Sequence, residues 1–154
     1  MPELREIIQV SQPAEEAFDA VADFSSSEMW DPGVVTAERI REGAPTPSGV
    51  GAEYLLKVRF RGRESDMTYR TTQYERPSRV VFQGIGPRIA ATDTIEFEPL
   101  DDGGTRITYV ADLRLTGLAR AAEPFLGGEF DAMGKRALEG MRAWFAAPPV
   151  HREA

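Results

Sequence analysis

The fold is decided by the stretch from Ile89 to Leu115, which reads IAATDTIEFEPLDDGGTRITYVADLRL. Apolar and polar residues alternate on both sides of Asp101–Gly104, whose sequence DDGG is typical of a tight hairpin turn. Alternation with a period of two predicts one strand over Ile89–Glu98 and a second over Thr105–Leu115, each with one apolar face.

The same pattern extends toward the N-terminus, where short runs of alternating residues are separated by Gly, Pro, Ser and Asp. Consecutive strands with short links favour an antiparallel meander over a parallel sheet, because parallel strands need long crossover connections. We therefore expect a curved antiparallel sheet of six or seven strands. The further predicted strands are Leu4–Val10, Val34–Arg41, Ala52–Phe60, Glu64–Tyr74 and Arg79–Gln83.

Helical periodicity appears twice. A short amphipathic helix is predicted from Ala14 to about Asp23, and Ser25–Gly33 predicts a loop with one further helical turn, so two short helices follow the first strand. The last third, from Thr116, predicts a long C-terminal helix that Pro124 and the following glycines kink or split. Its apolar stripe comprises Leu126, Phe130, Met133, Ala137, Met141 and Trp144.

These elements predict an α+β fold in which the sheet grips the C-terminal helix. A chain of 154 residues has the size of one domain, so we assign residues 1–147 to a single domain and 148–154 to a flexible tail.

Composition excludes several classes of chemistry. The chain has no cysteine, and its one histidine, His151, lies in the tail, so a Ser-His-Asp triad, a Cys-His pair and a Cys- or His-rich metal site are excluded from the folded body. We expect neither a metal nor a cofactor. A net charge of −7 argues against nucleic-acid binding. Without a secretory signal or an apolar run of about 20 residues, we expect a cytoplasmic protein with no stable membrane insertion.

The inward face of the sheet is mostly apolar, with a few polar side chains among large hydrophobic ones. Such a face either packs as a solid core or lines a small-molecule cavity. The width of the sheet favours a cavity, because one helix covers only part of it. Trp30, in a loop, either plugs the sheet edge or lines the cavity mouth. The predicted ligand-binding residues are Trp30, Tyr54, Leu56, Val58, Met67, Tyr69, Thr71, Phe82, Ile95, Tyr109, Phe130, Met133 and Met141; Gln73 shares the inward parity.

Asp93 is the most specific candidate for a catalytic residue, because it is a carboxylate on this apolar face. Burial without a partner raises the pKa of a carboxyl group into the range that suits a general acid or base. The alternative is a structural role, with Thr92 or Thr94 bonded to the carboxylate. Glu6 is a second inward carboxylate by parity.

Several motifs carry a resemblance to a known family over nearly the whole chain. They are Gln12–Phe18 (QPAEEAF), Trp30–Pro32 (WDP), Tyr74–Val80 (YERPSRV), Asp93–Pro99 (DTIEFEP) and Gly104–Tyr109 (GTRITY). In these motifs the chain resembles the START-like, or SRPBCC, superfamily with the helix-grip fold, and in particular its polyketide cyclase/dehydrase and lipid transport branch.

The resemblance implies a deep hydrophobic cavity that holds lipids, polyketides or aromatic molecules in different members. Some members are aromatase/cyclases that use cavity arginines and tyrosines. Tyr54, Tyr69 and Tyr109 could supply the tyrosines here. Arg59 and Arg70 face outward by parity, which leaves Arg88 as the arginine candidate.

Two functions follow. The first is binding or carriage of a hydrophobic small molecule, which is the expected partner. The second is a cofactor-independent polyketide cyclase or dehydratase, in which Asp93 acts as the base and Tyr69 polarises a carbonyl. A third class, a protein–protein adaptor, has no long exposed apolar patch to support it, and the sequence leaves homodimerisation open.

Overall fold

The computed structural model describes residues 3–147; the predicted tail 148–154, with His151, lies outside the described residues. Seven strands and three α-helices make up the described part. The strands are β1 (Glu3–Val10), β2 (Val34–Arg41), β3 (Glu53–Phe60), β4 (Arg63–Glu75), β5 (Arg79–Ile85), β6 (Ile89–Pro99) and β7 (Thr105–Leu115). The helices are α1 (Ala14–Ala22), α2 (Ser27–Trp30) and α3 (Gly127–Ala146), with a 3-10 turn at Phe24–Ser26 and a longer 3-10 helix at Gly117–Phe125, here called the 117–125 segment.

The strands form one antiparallel sheet in the order β1-β7-β6-β5-β4-β3-β2. β2 to β7 follow each other as a meander. β1 lies at the edge of the sheet and pairs with β7, with Leu4 opposite Ala111. The α+β helix-grip architecture predicted from the alternating stretches is therefore confirmed, with seven strands.

α3 packs mainly against β1 and α2. Two glycines allow this close approach: a Cβ on Gly134 would lie 3.0 Å from Leu4 Cδ1, and one on Gly140 would lie 1.9 Å from the carbonyl oxygen of Trp30. The helix is thus held at its middle and toward its C-terminal end. Among residues 3–147, no helix is both long and apolar enough to cross a membrane.

The predicted break in the C-terminal helix is confirmed. The 117–125 segment, which contains Pro124, buries none of its residues, and α3 begins only at Gly127. Because proline has no N–H and clashes with the preceding turn, it does not continue a regular helix. The segment is therefore separate from α3, and its main contact with the sheet is at β7.

One predicted side-chain orientation is wrong. β4 carries a bulge between Thr71 and Gln73, where its register against β5 shifts. An extra residue in a strand turns the following side chains to the opposite face. Gln73 is consequently exposed, and Tyr74 turns inward instead, with its ring 5.1 Å from that of Phe18.

One half of the inward face is closed by aromatic packing. α1 and the 3-10 turn cover the sheet there, and the rings of Phe24 and Phe82 stack 4.2 Å apart. Tyr54, Phe82 and Ile95 are fully buried. We call this region the closed half; it comprises Phe18, Phe24, Tyr54, Phe82 and Ile95 with their neighbours.

Candidate functional site

The other half of the inward face is hollow. A cavity of about 920 Å³ lies between the sheet, the loop after α2, the 117–125 segment and the N-terminal part of α3. α3 lies close to β1 at Gly134 and close to α2 at Gly140, and the cavity lies beside the part of the helix that precedes these contacts. The wall is mainly aliphatic and aromatic. Its apolar members include Leu56, Val58, Phe60, Met67, Leu113, Phe130 and Met133, and this region is the hollow half.

Many of the residues predicted to bind ligand border this cavity. They come from five elements, because β3, β4, β6, β7 and α3 all present side chains to it. The predicted residues that border it are Leu56, Val58, Met67, Tyr69, Tyr109, Phe130 and Met133, together with Asp93.

The other predicted residues lie outside the cavity wall, buried against the short helices or in the closed half. Trp30 packs as a plug, and its Nε1–H donates to Ser26 Oγ at 3.1 Å. Tyr54 donates its hydroxyl to the carbonyl of Ala22 at 3.3 Å. Phe24 of the 3-10 turn packs on Tyr54 and Phe82 and separates these two residues from the cavity. The full set is Trp30, Tyr54, Thr71, Phe82, Ile95 and Met141.

Asp93 points inward, as predicted, and is only 6% exposed. It lies in the middle of β6, opposite Ala111 of β7. The hydroxyl of Tyr109 donates to its Oδ2. Its Oδ1 is buried and has no hydrogen-bond partner among residues 3–147. The predicted structural alternative, a bond from Thr92 or Thr94, is not the contact that this carboxyl makes.

The environment of Asp93 favours its protonated form. Burial raises the pKa of Asp93 to about 7, against the hydrogen bond from Tyr109, which lowers it, while the charge of Asp31 raises it further. A carboxyl group with a pKa near neutrality exchanges a proton easily at physiological pH, as an acid or base must.

Asp31 is a second cavity carboxyl, and sequence reasoning missed it. It follows α2 directly, and its Oδ1 accepts from the Gly33 N–H at 2.8 Å. Burial raises the pKa of Asp31 to about 6, although the Gly33 N–H and the charge of Arg136 lower it. Strand alternation cannot place a loop residue; the only available signal was its position in the Trp30–Pro32 motif.

Two tyrosines complete the polar part of the wall. Burial, and then the charge of Asp93, raise the pKa of Tyr69 and of Tyr109 well above 10, so both hydroxyls stay protonated. The Tyr69 hydroxyl lies 3.8 Å from Met67 Sδ. Its ring covers Gly84, where a Cβ would come within 2.5 Å of ring carbon Cε2. Gly84 thus fixes the position of Tyr69.

Charged side chains surround the opening. Arg88 borders the cavity as predicted. Arg59 also borders it, but its side chain is exposed, as its outward parity predicts, and its guanidinium pairs with Glu64 at 2.6 Å. Arg70 is exposed and outside the wall. Glu6 also borders the cavity and pairs with Lys135 at 3.5 Å. Within the described chain, no three His, Cys, Asp or Glu side chains are grouped to hold a metal ion.

Comparison with known families identifies the family of this chain. The model of the family described as "Polyketide cyclase / dehydrase and lipid transport" matches residues 1–145. A comparison with curated protein sequences gives no match.

Solved structures share the fold at low sequence identity. A protein from Thermus thermophilus is 16% identical with a TM-score of 0.76, covering 92% of this chain and 95% of its own. A START superfamily protein from Mycobacterium smegmatis is also 16% identical, with a TM-score of 0.72 and coverage of 92% and 97%. The ZhuI aromatase/cyclase from Streptomyces sp. R1128 is 16% identical, with a TM-score of 0.65 and coverage of 89% and 84%. At this identity the likeness extends to the fold alone.

Proposed function

Because this chain belongs to the polyketide cyclase/dehydrase and lipid transport family, we propose that it binds or carries a hydrophobic small molecule in the cavity of the hollow half. The class of ligand is a lipid, a polyketide or an aromatic molecule.

The size and lining of the cavity are the observations that support this proposal. A volume of about 920 Å³ lies in the range of ligand pockets, which is roughly 300–1,000 Å³. The apolar wall supplies a hydrophobic driving force of about 25 cal/mol for each Å² of ligand surface removed from water. Asp31, Asp93 and Tyr109 add the few polar groups that orient a guest in such pockets.

Titration with a solvatochromic dye such as Nile red, followed by native mass spectrometry, tests the proposal. We expect saturable binding of one dye molecule, with a blue-shifted emission. Ala137→Phe puts a ring into the cavity and is expected to weaken binding at least about tenfold. Ala143→Phe, at an exposed position of the same helix, is the matched control. If neither dye nor any other apolar compound occupies the protein, or if both variants bind equally well, ligand binding in this cavity is ruled out.

A second candidate function is favoured by one observation, the buried pair of Asp93 and Tyr109. In a cofactor-independent cyclase or dehydratase, Asp93 would remove a proton from a carbon next to a carbonyl, and Tyr69 would donate a hydrogen bond to that carbonyl. General acid–base assistance contributes typically about 10²–10⁴-fold to such a rate.

Turnover of a poly-ketone substrate tests this second candidate. We expect Asp93→Asn to lower kcat by about a hundredfold or more, and Tyr69→Phe to lower it less. Tyr74→Phe is the matched control, because Tyr74 packs against Phe18 and does not border the cavity. Equal turnover in all three variants would remove Asp93 and Tyr69 from any catalytic role.

The remaining expectations stay predictions. They are the cytoplasmic location, the absence of nucleic-acid binding, and homodimerisation, which sedimentation at several protein concentrations would resolve.

A further inference from the structure

We infer that the ligand is an uncharged apolar molecule with a hydroxyl group, and that this hydroxyl donates a hydrogen bond to Oδ1 of Asp93. The inference rests on the proposed function, because it specifies the chemistry of the molecule that the cavity takes.

The first step is the unused hydrogen-bonding capacity of Asp93. Its Oδ2 accepts from Tyr109, whereas Oδ1, equally buried, has no partner within residues 3–147. A buried polar atom without a hydrogen bond is costly, and nearly all such atoms in folded proteins are satisfied. Because Asp93 borders the cavity, a cavity ligand can supply the missing donor.

The second step is the room beside the carboxyl. The residue opposite Asp93 on β7 is Ala111, which has only a methyl side chain and also borders the cavity. On the other side of Asp93, the opposite residue on β5 is Phe82, which belongs to the closed half and does not border the cavity. The cavity therefore approaches the Asp93 carboxyl from the side of Ala111.

The third step is the balance of donors and acceptors at this wall. The hydroxyl of Tyr109 already donates its hydrogen bond to Asp93, and the hydroxyl of Tyr69 is directed at the sulfur of Met67. Asp31, whose charge acts on Asp93, adds a second carboxyl. The wall is thus rich in acceptors, so it favours a ligand that donates. Above about pH 7, where the Asp93 carboxyl is ionised and has no proton to donate, an ether or ester oxygen only accepts and cannot satisfy Oδ1.

The fourth step concerns charge. A ligand carboxylate placed at this wall would lie near two carboxyl groups and is therefore disfavoured. An ammonium group would have to leave water for a mainly apolar wall, which is costly for an ion. A hydroxyl meets the need for a donor at the lowest desolvation cost.

The protonation state of Asp93 gives the inference a pH signature. The titratable or charged groups that act on Asp93 are Tyr109 from β7, Tyr69 from β4 and Asp31 after α2, with Arg136 of α3 acting on Asp31. A donated hydrogen bond favours the carboxylate, so a bound hydroxyl lowers the pKa of Asp93 below its ligand-free value of about 7. Affinity for the hydroxyl compound should accordingly rise as pH increases through that value.

The test uses matched probes that differ only in their polar group: naphthalene, 2-naphthol, 2-methoxynaphthalene and 2-naphthoic acid. Calorimetric titration of the full chain at about pH 8 is expected to show 2-naphthol binding about tenfold more tightly than naphthalene. The methyl ether, which cannot donate, and the naphthoate should show no such gain.

Two variants locate the effect. Asp93→Asn removes the charged acceptor and should abolish the preference for naphthol over its methyl ether. Asp112→Asn should preserve it, because Asp112 is a neighbouring carboxyl on β7, also with a buried Oδ1 that lacks a partner in the described chain, but it does not border the cavity. Should Asp93→Asn not fold, ¹³C NMR of the Asp93 carboxyl in the unaltered protein replaces it, with the pKa expected to fall on addition of 2-naphthol.

The outcomes separate the two proposals. Naphthalene binding without a naphthol preference, a preference for naphthoate, or an unchanged Asp93 pKa with naphthol bound would overturn the hydroxyl inference and leave ligand binding intact. Failure of every probe to bind would overturn both.

Discussion

Phe82 and Phe60 carry the same side chain on the same face of one sheet, yet Phe82 is sealed into the closed half while Phe60 borders the cavity of the hollow half. What differs is the cover. Phe24 of the 3-10 turn stacks on Phe82 at a ring distance of 4.2 Å, whereas α3 contacts Phe60 through Phe130, at a ring distance of 5.5 Å. Strand alternation determines which side chains point inward, and the overlying helices determine whether those side chains form core or cavity.

The largest expected effect is the difference in free energy of unfolding between alanine variants of these two phenylalanines. Phe82→Ala should lower the free energy of unfolding by about 3–5 kcal/mol, because it removes a fully buried ring from close packing. Phe60→Ala should cost less than half of that, since its ring already borders empty space, but it should weaken binding of Nile red. Urea denaturation and dye titration of both variants measure the contrast. Equal losses of stability would mean that the hollow half is as well packed as the closed one.

The next effect is a pH dependence of stability that originates in the hollow half. Asp93 has a folded-state pKa of about 7 against an ordinary value of 3.8, so the folded state holds its proton more tightly than the unfolded state. Stability from this group is therefore full below about pH 4, falls as pH rises, and levels off above about pH 7. The loss is on the order of 4 kcal/mol, and Asp93→Asn should remove it.

Asp31→Asn is the companion variant for that measurement. With a folded-state pKa of about 6, Asp31 should contribute a smaller total loss of the same sign, which ends about one pH unit lower. Urea denaturation between about pH 4 and pH 8 separates the two contributions. A wild-type stability that rises over this interval would contradict the raised pKa of both groups.

A smaller effect compares two glycines of α3. Gly140→Ala should destabilise by about 1–3 kcal/mol, because the added Cβ would meet the backbone of Trp30 at 1.9 Å and neither helix backbone can yield easily. Gly128→Ala, where the Cβ meets nothing within 4 Å, should instead stabilise by about 0.5 kcal/mol through helix propensity. Thermal unfolding of the two variants in parallel measures the difference, and a gain for both would show that α3 is not held tightly at α2.

The smallest effect concerns the cover of the hollow half. Leu118 lies in the 117–125 segment and is 98% exposed. Leu118→Ser should change the free energy of unfolding by no more than about 0.5 kcal/mol, since the side chain has almost no packing to lose. Leu126→Ser, at a residue 7% exposed that borders the cavity, is the contrasting variant and should be clearly destabilising. A large loss from Leu118→Ser would indicate that the segment packs more firmly than its exposure shows.

The fold could be predicted well from the sequence because the alternation of apolar and polar residues along each stretch indicates the strands and their inward faces. The alternation of Ile95, Phe97, Ile107 and Tyr109 around one hairpin turn places two strands and their inward faces without any knowledge of the rest. The same alternation failed at Gln73, where one extra residue in the strand reversed the pattern. A bulge has no distinct residue signature here, so alternation alone could not reveal it.

The candidate site was only partly predictable, for two physical reasons. Asp93 was found because it breaks an apolar face, but Asp31 sits in a loop, where no period indicates direction. Tyr54 and Phe82 were assigned to the cavity because they face inward, and the difference between them and Met67 depends on where α1 lies across the sheet. That placement is a long-range property that residue spacing does not encode.

The pairing of β1 with β7 has a consequence for how the chain acquires its shape. Leu4 finds its partner Ala111 more than a hundred residues later, and α3 then packs against that same first strand. Topologies dominated by such distant pairings fold slowly, because a large loop must close before the contacts that stabilise it can form. During synthesis β1 therefore stays unpaired until β7 has left the ribosome. The cavity forms only after α3 can also pack against β1.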